Sequence, residues 1–205
     1  MAQHTKAPII GFSVVLDDEW HPVPMTPGDG EPWASRLTAE SGVEQPAAQT
    51  LVGELVRLQR NFAALITDAC SAFVWVPAPA SGYCGGSFVG MNWPLGDDGF
   101  EDAESFIARF AQGGFIDPGD TVLDQRVWSG EFDAGPFAAV HRVSSVPSGD
   151  DEMVLESVEF AVFPPGADEF IHLAFAAESI AAFDDMPAQT QAIAQTLQVT
   201  LGTSR

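Results

Sequence analysis

The sequence predicts an α+β protein: a single domain in which a central, mostly antiparallel sheet carries about three helices over its two faces, an α/β/α sandwich. Helix-period apolar stripes occur at three places, and extended apolar runs lie between them. Short Pro- and Gly-containing turns join the last of these runs too closely for the crossovers that a parallel sheet requires. A chain of 205 residues is long enough to bury a core of its own and falls in the range where one domain is the usual outcome.

Taken in order, Ile9 to Leu16 (IIGFSVVL) is rich in β-branched residues and stops at Asp17-Asp18-Glu19, which reads as a first strand. Residues 17–46 hold Pro22, Pro24, Pro27, Pro32 and Pro46 with Gly28, Gly30 and Gly42, a density that predicts a long surface loop. From Ala47, Leu51, Leu55, Leu58, Phe62 and Leu65 recur at helical spacing while Glu54, Arg57, Gln59 and Asn61 avoid that stripe, giving a first amphipathic helix over 47–68. Phe106, Ile107 and Phe110 mark a second helix behind Asp102 and Glu104, with Gly113-Gly114 as its stop. A third helix is expected over 185–197, with Pro187 in its first turn and Met186, Thr190, Ile193 and Leu197 on one face.

Extended segments are expected near 71–77, 87–93, 121–128, 137–146, 153–163 and 169–176. Phe73 and Trp75 point opposite to Val74 and Val76, and Phe160 and Val162 opposite to Ala161 and Phe163, so these strands are covered on both sides. Turns at Ser148-Gly149-Asp150 and Pro164-Pro165-Gly166-Ala167 favour hairpins between consecutive strands.

Charge narrows the function. Acidic residues number 29 against 8 basic ones, for a net charge of −21, and Lys6 is the only lysine. A surface of that sign cannot neutralise phosphates, which argues against nucleic acid and anionic membrane as partners. A protein partner would be basic, or would be met through apolar contacts. No run of ~18 apolar residues is present. If Met1 is the native start, the expected location is the cytoplasm, which suits two cysteines left as free thiols.

An opening GFSVVL strand leading to Trp20, then helix, strands, a second helix, a four-strand meander and a closing amphipathic helix resembles the Mog1/PsbP-like group. The resemblance implies an α/β/α sandwich and a binding or adaptor role, and it implies no shared catalytic set.

Two sets of residues are candidates for function. Gly82-Tyr83-Cys84-Gly85-Gly86 fits G-x-C-x-G and is similar to the nucleophile region of dienelactone hydrolases, with His141 and His172 later in the chain as possible bases. An elbow of that kind needs a strand running into the turn and a helix leaving it, whereas Pro77 and Pro79 end the preceding strand and Ser87 to Met91 is extended. A cysteine-dependent hydrolase is therefore the alternative reading, and a hydrogen-bonded structural role is the expectation for both histidines.

The second set is Trp20, Met25 and Trp33, apolar groups in a Pro/Gly-rich segment, which either fold back on the core or present a surface for a protein. The four histidines lack metal-ligand spacing, and the acidic cluster Asp17, Asp18, Glu19 and His21 reads as a solvated strand end. No metal or cofactor is expected. The reading is a non-catalytic binding or adaptor module.

Overall fold

A computed structural model describes residues 6–65, 70–96, 100–111, 119–148 and 151–203. His4, the far end of the first predicted helix at 66–68, the Gly113-Gly114 stop and most of the 148–150 turn lie outside these residues. The strands are β1 (Ile9–Ser13), β2 (Trp20–Pro22), β3 (Cys70–Trp75), β4 (Gly86–Pro94), β5 (Thr121–Phe132), β6 (Gly135–Ser148), β7 (Asp151–Val162), β8 (Glu169–Ala177) and β9 (Gln198–Leu201). The helices are α1 (Gly30–Glu40), α2 (Ala47–Leu65), α3 (Ala103–Ala111) and α4 (Met186–Ala194). The fold class is α+β, and the chain forms two compact units, one of residues 16–89 and a larger one of residues 1–15 with 90–205.

In the 16–89 unit the strand order is β2-β3-β4, and β2 pairs antiparallel with β3 through Trp20↔Trp75 and Pro22↔Phe73. Alternation along β3 then fixes two faces. Ala72, Val74 and Val76 meet Leu51 and Leu55 of α2 and Trp33, Ala34 and Leu37 of α1 in one core. Phe73 and Trp75 lie on the opposite face, where Trp20 stacks on Trp75 at 6.1 Å and Phe73 on Phe88 at 5.8 Å between centroids.

The structure corrects the expectation of an irregular segment over 17–46: β2 and α1 both fall within it, which raises the number of α-helices among the described residues to four. Proline density misled because Pro32 sits in the first turn of α1, where a missing N–H has no intrahelical partner to lose. Behind it, Trp33, Ala34, Leu37 and Thr38 form a buried stripe at i, i+1, i+4 and i+5. Gln59 is a second correction. It was placed off the stripe of α2, yet it is 2% exposed, and its amide donates to the carbonyls of Pro24 (3.0 Å) and Thr26 (3.2 Å). A polar residue at i+8 from Leu51 is buried here because it satisfies backbone acceptors of the proline-rich segment.

In the larger unit the strand order is β4-β8-β7-β6-β5, and the pairs β5/β6, β6/β7 and β7/β8 are antiparallel, so the expected meander is present. Ala138 faces Ala161 on the side where Phe106 and Phe110 of α3 pack. The next residues, Ala139 and Phe160, face each other on the other side with Trp128, whose indole donates to Gln191 of α4 at 3.0 Å. Helices thus cover both faces of this unit's sheet, as predicted.

The helix starts are capped as the acidic residues suggest: Asp102 accepts from the Ser105 N–H at 2.8 Å, and Asp185 from the Ala188 N–H at 3.1 Å. The closing helix ends at Ala194, three residues short of the predicted Leu197, and the chain goes on into β9. That strand pairs antiparallel with β1 in a separate two-stranded ribbon, so the opening strand does not join the main sheet.

Candidate functional site

Cys84 precedes β4, and a strand rather than a helix follows it, so the turn lacks the helix that a nucleophile elbow requires. Its N–H donates to Glu54 at 3.1 Å, and the thiol is half-buried and not in a disulfide. Cys70 is not in a disulfide either, and burial pushes its thiol up to about 11, against a weaker opposing bond at Ser71. Gly85 is where Trp75 lies against the loop: a Cβ there would meet its ring at 2.6 Å. Gly85 therefore serves close packing of an indole, whereas Gly82 takes a left-handed φ of +80° against the Ala47 backbone.

The two histidines that could have joined Cys84 are engaged elsewhere and apart from each other. His141 pairs with Glu156 at 2.8 Å and His172 with Glu159 at 3.0 Å. His141 stands opposite Val158, whereas His172 stands opposite Ala161, an odd number of residues along β7, so the pairs occupy opposite faces of the sheet. Burial raises the Glu159 carboxyl, but the hydrogen bond with His172, the charge of His172 and that of Arg142 outweigh it and leave the group below its ordinary value. Each histidine is thus hydrogen-bonded to a carboxylate on the neighbouring strand.

The indoles of the second set are buried, Trp20 at 6% and Trp33 at 7% exposure, and Met25 is half-buried against the same core as Trp33. They anchor the 17–46 segment and do not form an exposed apolar patch. Burial lowers the pKa of His21 against the raising influence of Glu40. Glu19 accepts from the Trp75 indole at 3.0 Å and Asp17 from the Glu19 N–H at 3.0 Å, which occupies the acidic cluster with local bonds. Among the described residues no group of three or more His, Cys, Asp or Glu is placed to hold a metal.

What the anchoring of α1 creates is an open groove of about 430 Å³ against α2. Ser35, Thr38 and Ala39 line it from α1, and Ala48, Gln49 and Val52 from α2. The connection between the helices adds Val43 and Gln45. None of the lining residues is charged. Thr38 is 3% exposed, and its hydroxyl has no hydrogen-bond partner among the described residues. Leaving such a group unsatisfied costs about 1–3 kcal/mol.

This groove was missed in the sequence because α1 was missed. The signal was present as the Trp33-Ala34-Leu37-Thr38 spacing, in which a threonine occupies a core-facing position.

No protein-family model matches the chain, and no curated protein matches it by sequence. Solved structures do show likenesses of fold. A putative regulator of unknown function from Pseudomonas aeruginosa is 19% identical with a TM-score of 0.41, over 69% of this chain and 90% of that one. LpqN of Mycobacterium tuberculosis, involved in cell envelope biogenesis, is 13% identical with a TM-score of 0.42, over 92% and 83%. The Ran-binding protein Mog1p of Saccharomyces cerevisiae is 9% identical with a TM-score of 0.40, over 67% and 83%. Among the described residues no helix is long and apolar enough to cross a membrane.

Proposed function

We propose that the chain is a non-catalytic binding module for a protein partner, and that the groove between α1 and α2 is its binding surface. The observation that carries this reading is the groove itself: an open, uncharged trough between two helices whose inner faces are fixed in one core. Paired helices held by a shared core make a rigid surface, which lowers the ordering cost of recognition. Trp20, Met25 and Trp33 act in this reading as positioning residues that hold the segment carrying α1. The acidic surface turns nucleic acid and anionic membranes away. Two cysteines that form no disulfide suit the cytoplasm.

The test is photo-crosslinking from position 43 or 49 in cells of the source organism, with the Ala39→Arg variant as control. Ala39 is exposed, so its arginine fills the groove without entering the core. Crosslinks to one protein that disappear in the variant support the reading. Crosslinks that persist in the variant would refute the groove as the surface.

A further inference from the structure

We propose that the α1–α2 groove takes a short basic peptide segment of a protein partner, with small uncharged side chains seated between the helices and lysine or arginine side chains outside it. In this proposal the Thr38 hydroxyl is the hydrogen-bonding group that fixes the segment's register. The inference rests on the binding reading above and names the chemistry of the same groove.

Size sets the occupant's length. Ser35 and Ala39 are four residues apart on α1, about 6 Å at 1.5 Å per residue. An extended chain rises ~3.3 Å per residue, so roughly two or three residues fit between the helices. Small-molecule sites enclose most of the ligand, whereas this groove is open along one side, which suits a chain that enters and leaves it.

Charge selects what flanks the seated residues. The lining is neutral, but residues 29–65 carry five acids (Asp29, Glu31, Glu40, Glu44 and Glu54) against three bases (Arg36, Arg57 and Arg60), of which Arg57 pairs with Glu54 at 4.0 Å. Glu44 sits between the lining residues Val43 and Gln45, and Glu40 follows the lining residue Ala39; both are exposed. Cationic side chains on either side of a neutral centre complement this arrangement, and the net charge of −21 steers such a segment toward it.

Thr38 supplies the specific contact. Helical Ser and Thr hydroxyls usually donate back to a carbonyl three or four residues earlier. Ser41 does so to Leu37 at 2.8 Å, and Thr190 to Met186 at 2.7 Å. Thr38 does not, although water is excluded from its oxygen. A helical threonine alternates between two χ1 rotamers, an exchange that swaps methyl and hydroxyl positions on a side chain that lines the groove. A peptide amide or carbonyl lying between the helices would give this hydroxyl the partner it lacks.

The experiment is affinity selection of a defined random-peptide display library on the immobilised full chain, repeated with Thr38→Val, Thr38→Ser, Glu44→Lys and Ala39→Arg, each first checked for an unchanged melting temperature or a higher one. The expected result is enrichment of sequences with Lys or Arg flanking small neutral residues. That enrichment should fall about tenfold in Thr38→Val and Glu44→Lys, be retained in Thr38→Ser, and vanish in Ala39→Arg. Enrichment of acidic sequences, or enrichment that is indifferent to Thr38→Val and Glu44→Lys while lost in Ala39→Arg, would overturn the proposed chemistry and leave the groove as a binding surface. Enrichment unchanged in Ala39→Arg, or no enrichment at all, would overturn the groove as well.

Discussion

Thr38 in α1 and Thr190 in α4 are both buried helical threonines, at 3% and 0% exposure, and they differ in what their hydroxyls do. Thr190 donates to the Met186 carbonyl at 2.7 Å and lies in a unit where partly buried polar groups are paired: Trp128 with Gln191, Arg142 with Gln125, Glu159 with His172. Thr38 is left without a partner beside an open groove. Among the described residues the larger unit holds no buried side-chain nitrogen or oxygen without a partner. The α1–α2 layer holds one, and that asymmetry supports the proposal that α1–α2 is the binding surface.

The sharpest way to break the comparison is to damage each region's core. Phe160 is fully buried and contacts Trp128, Phe132, Phe137 and Phe175, and Phe160→Ala is expected to cost about 3–5 kcal/mol in denaturant unfolding. Trp33→Ala carries a loss of the same order, about 3–5 kcal/mol. The two should part in binding. Trp33 supports α1, so its removal should abolish groove binding even where the protein is still folded, whereas folded Phe160→Ala should bind as wild type. Equal binding losses in both variants, measured on the folded fraction, would show that the groove does not depend on α1 anchoring.

A smaller effect is expected at Gln59, whose amide bridges to the proline-rich segment. Gln59→Ala strands the carbonyls of Pro24 and Thr26, with an expected loss of about 1–3 kcal/mol. Amide hydrogen exchange should quicken around residues 23–30 before it does so in α2. Uniform quickening across the unit would mean that Gln59 acts by packing alone.

Acid should act on the scaffold unit. Glu159 has a folded pKa below its ordinary 4.5, so in the window beneath that value the unfolded chain binds more protons than the folded one. Its contribution is fully present above 4.5 and is lost as pH falls through the lower folded value. Glu159→Gln should therefore lose less melting temperature than wild type between pH 5 and pH 3. An equal loss in both proteins would place the acid sensitivity at other carboxylates.

How far the sequence reveals these two regions follows from what each is built on. The meander β5 to β8 was legible because Phe160, Val162 and their neighbours alternate in apolar runs bounded by Pro/Gly turns, a signal that local chemistry carries by itself. The α2 stripe through Leu51 and Leu55 was legible for the same reason. Helix α1 was hidden because proline counts against a helix everywhere except in the first turn, and its position there depends on where the helix begins. The burial of Gln59 was hidden because its acceptors, Pro24 and Thr26, lie more than thirty residues away. The β1/β9 pairing joins the two ends of the chain and has no local signature. Trp20 and Trp33 stand out in the sequence as apolar groups of a Pro/Gly-rich segment, but whether an indole faces water or core is decided by tertiary packing.

The smallest expected effect tests the comparison most directly, because it separates the two threonines by sign. Valine replaces a threonine hydroxyl with a methyl of similar size. At Thr190 the change removes a satisfied bond, and the expected result is a loss of about 0.5–1.5 kcal/mol. At Thr38 it removes a buried oxygen that has no partner, so the desolvation cost disappears and the variant should unfold at higher denaturant by up to about 1 kcal/mol. The midpoint of unfolding, read at unchanged slope, distinguishes the two outcomes. If Thr38→Val also weakens peptide binding, a residue that costs the fold stability is serving recognition, which is the expected pattern where a site is kept at the expense of the free protein's stability. A loss of stability in Thr38→Val matching that in Thr190→Val would show that the Thr38 hydroxyl is satisfied in solution, and the distinction between the two layers would fall with it.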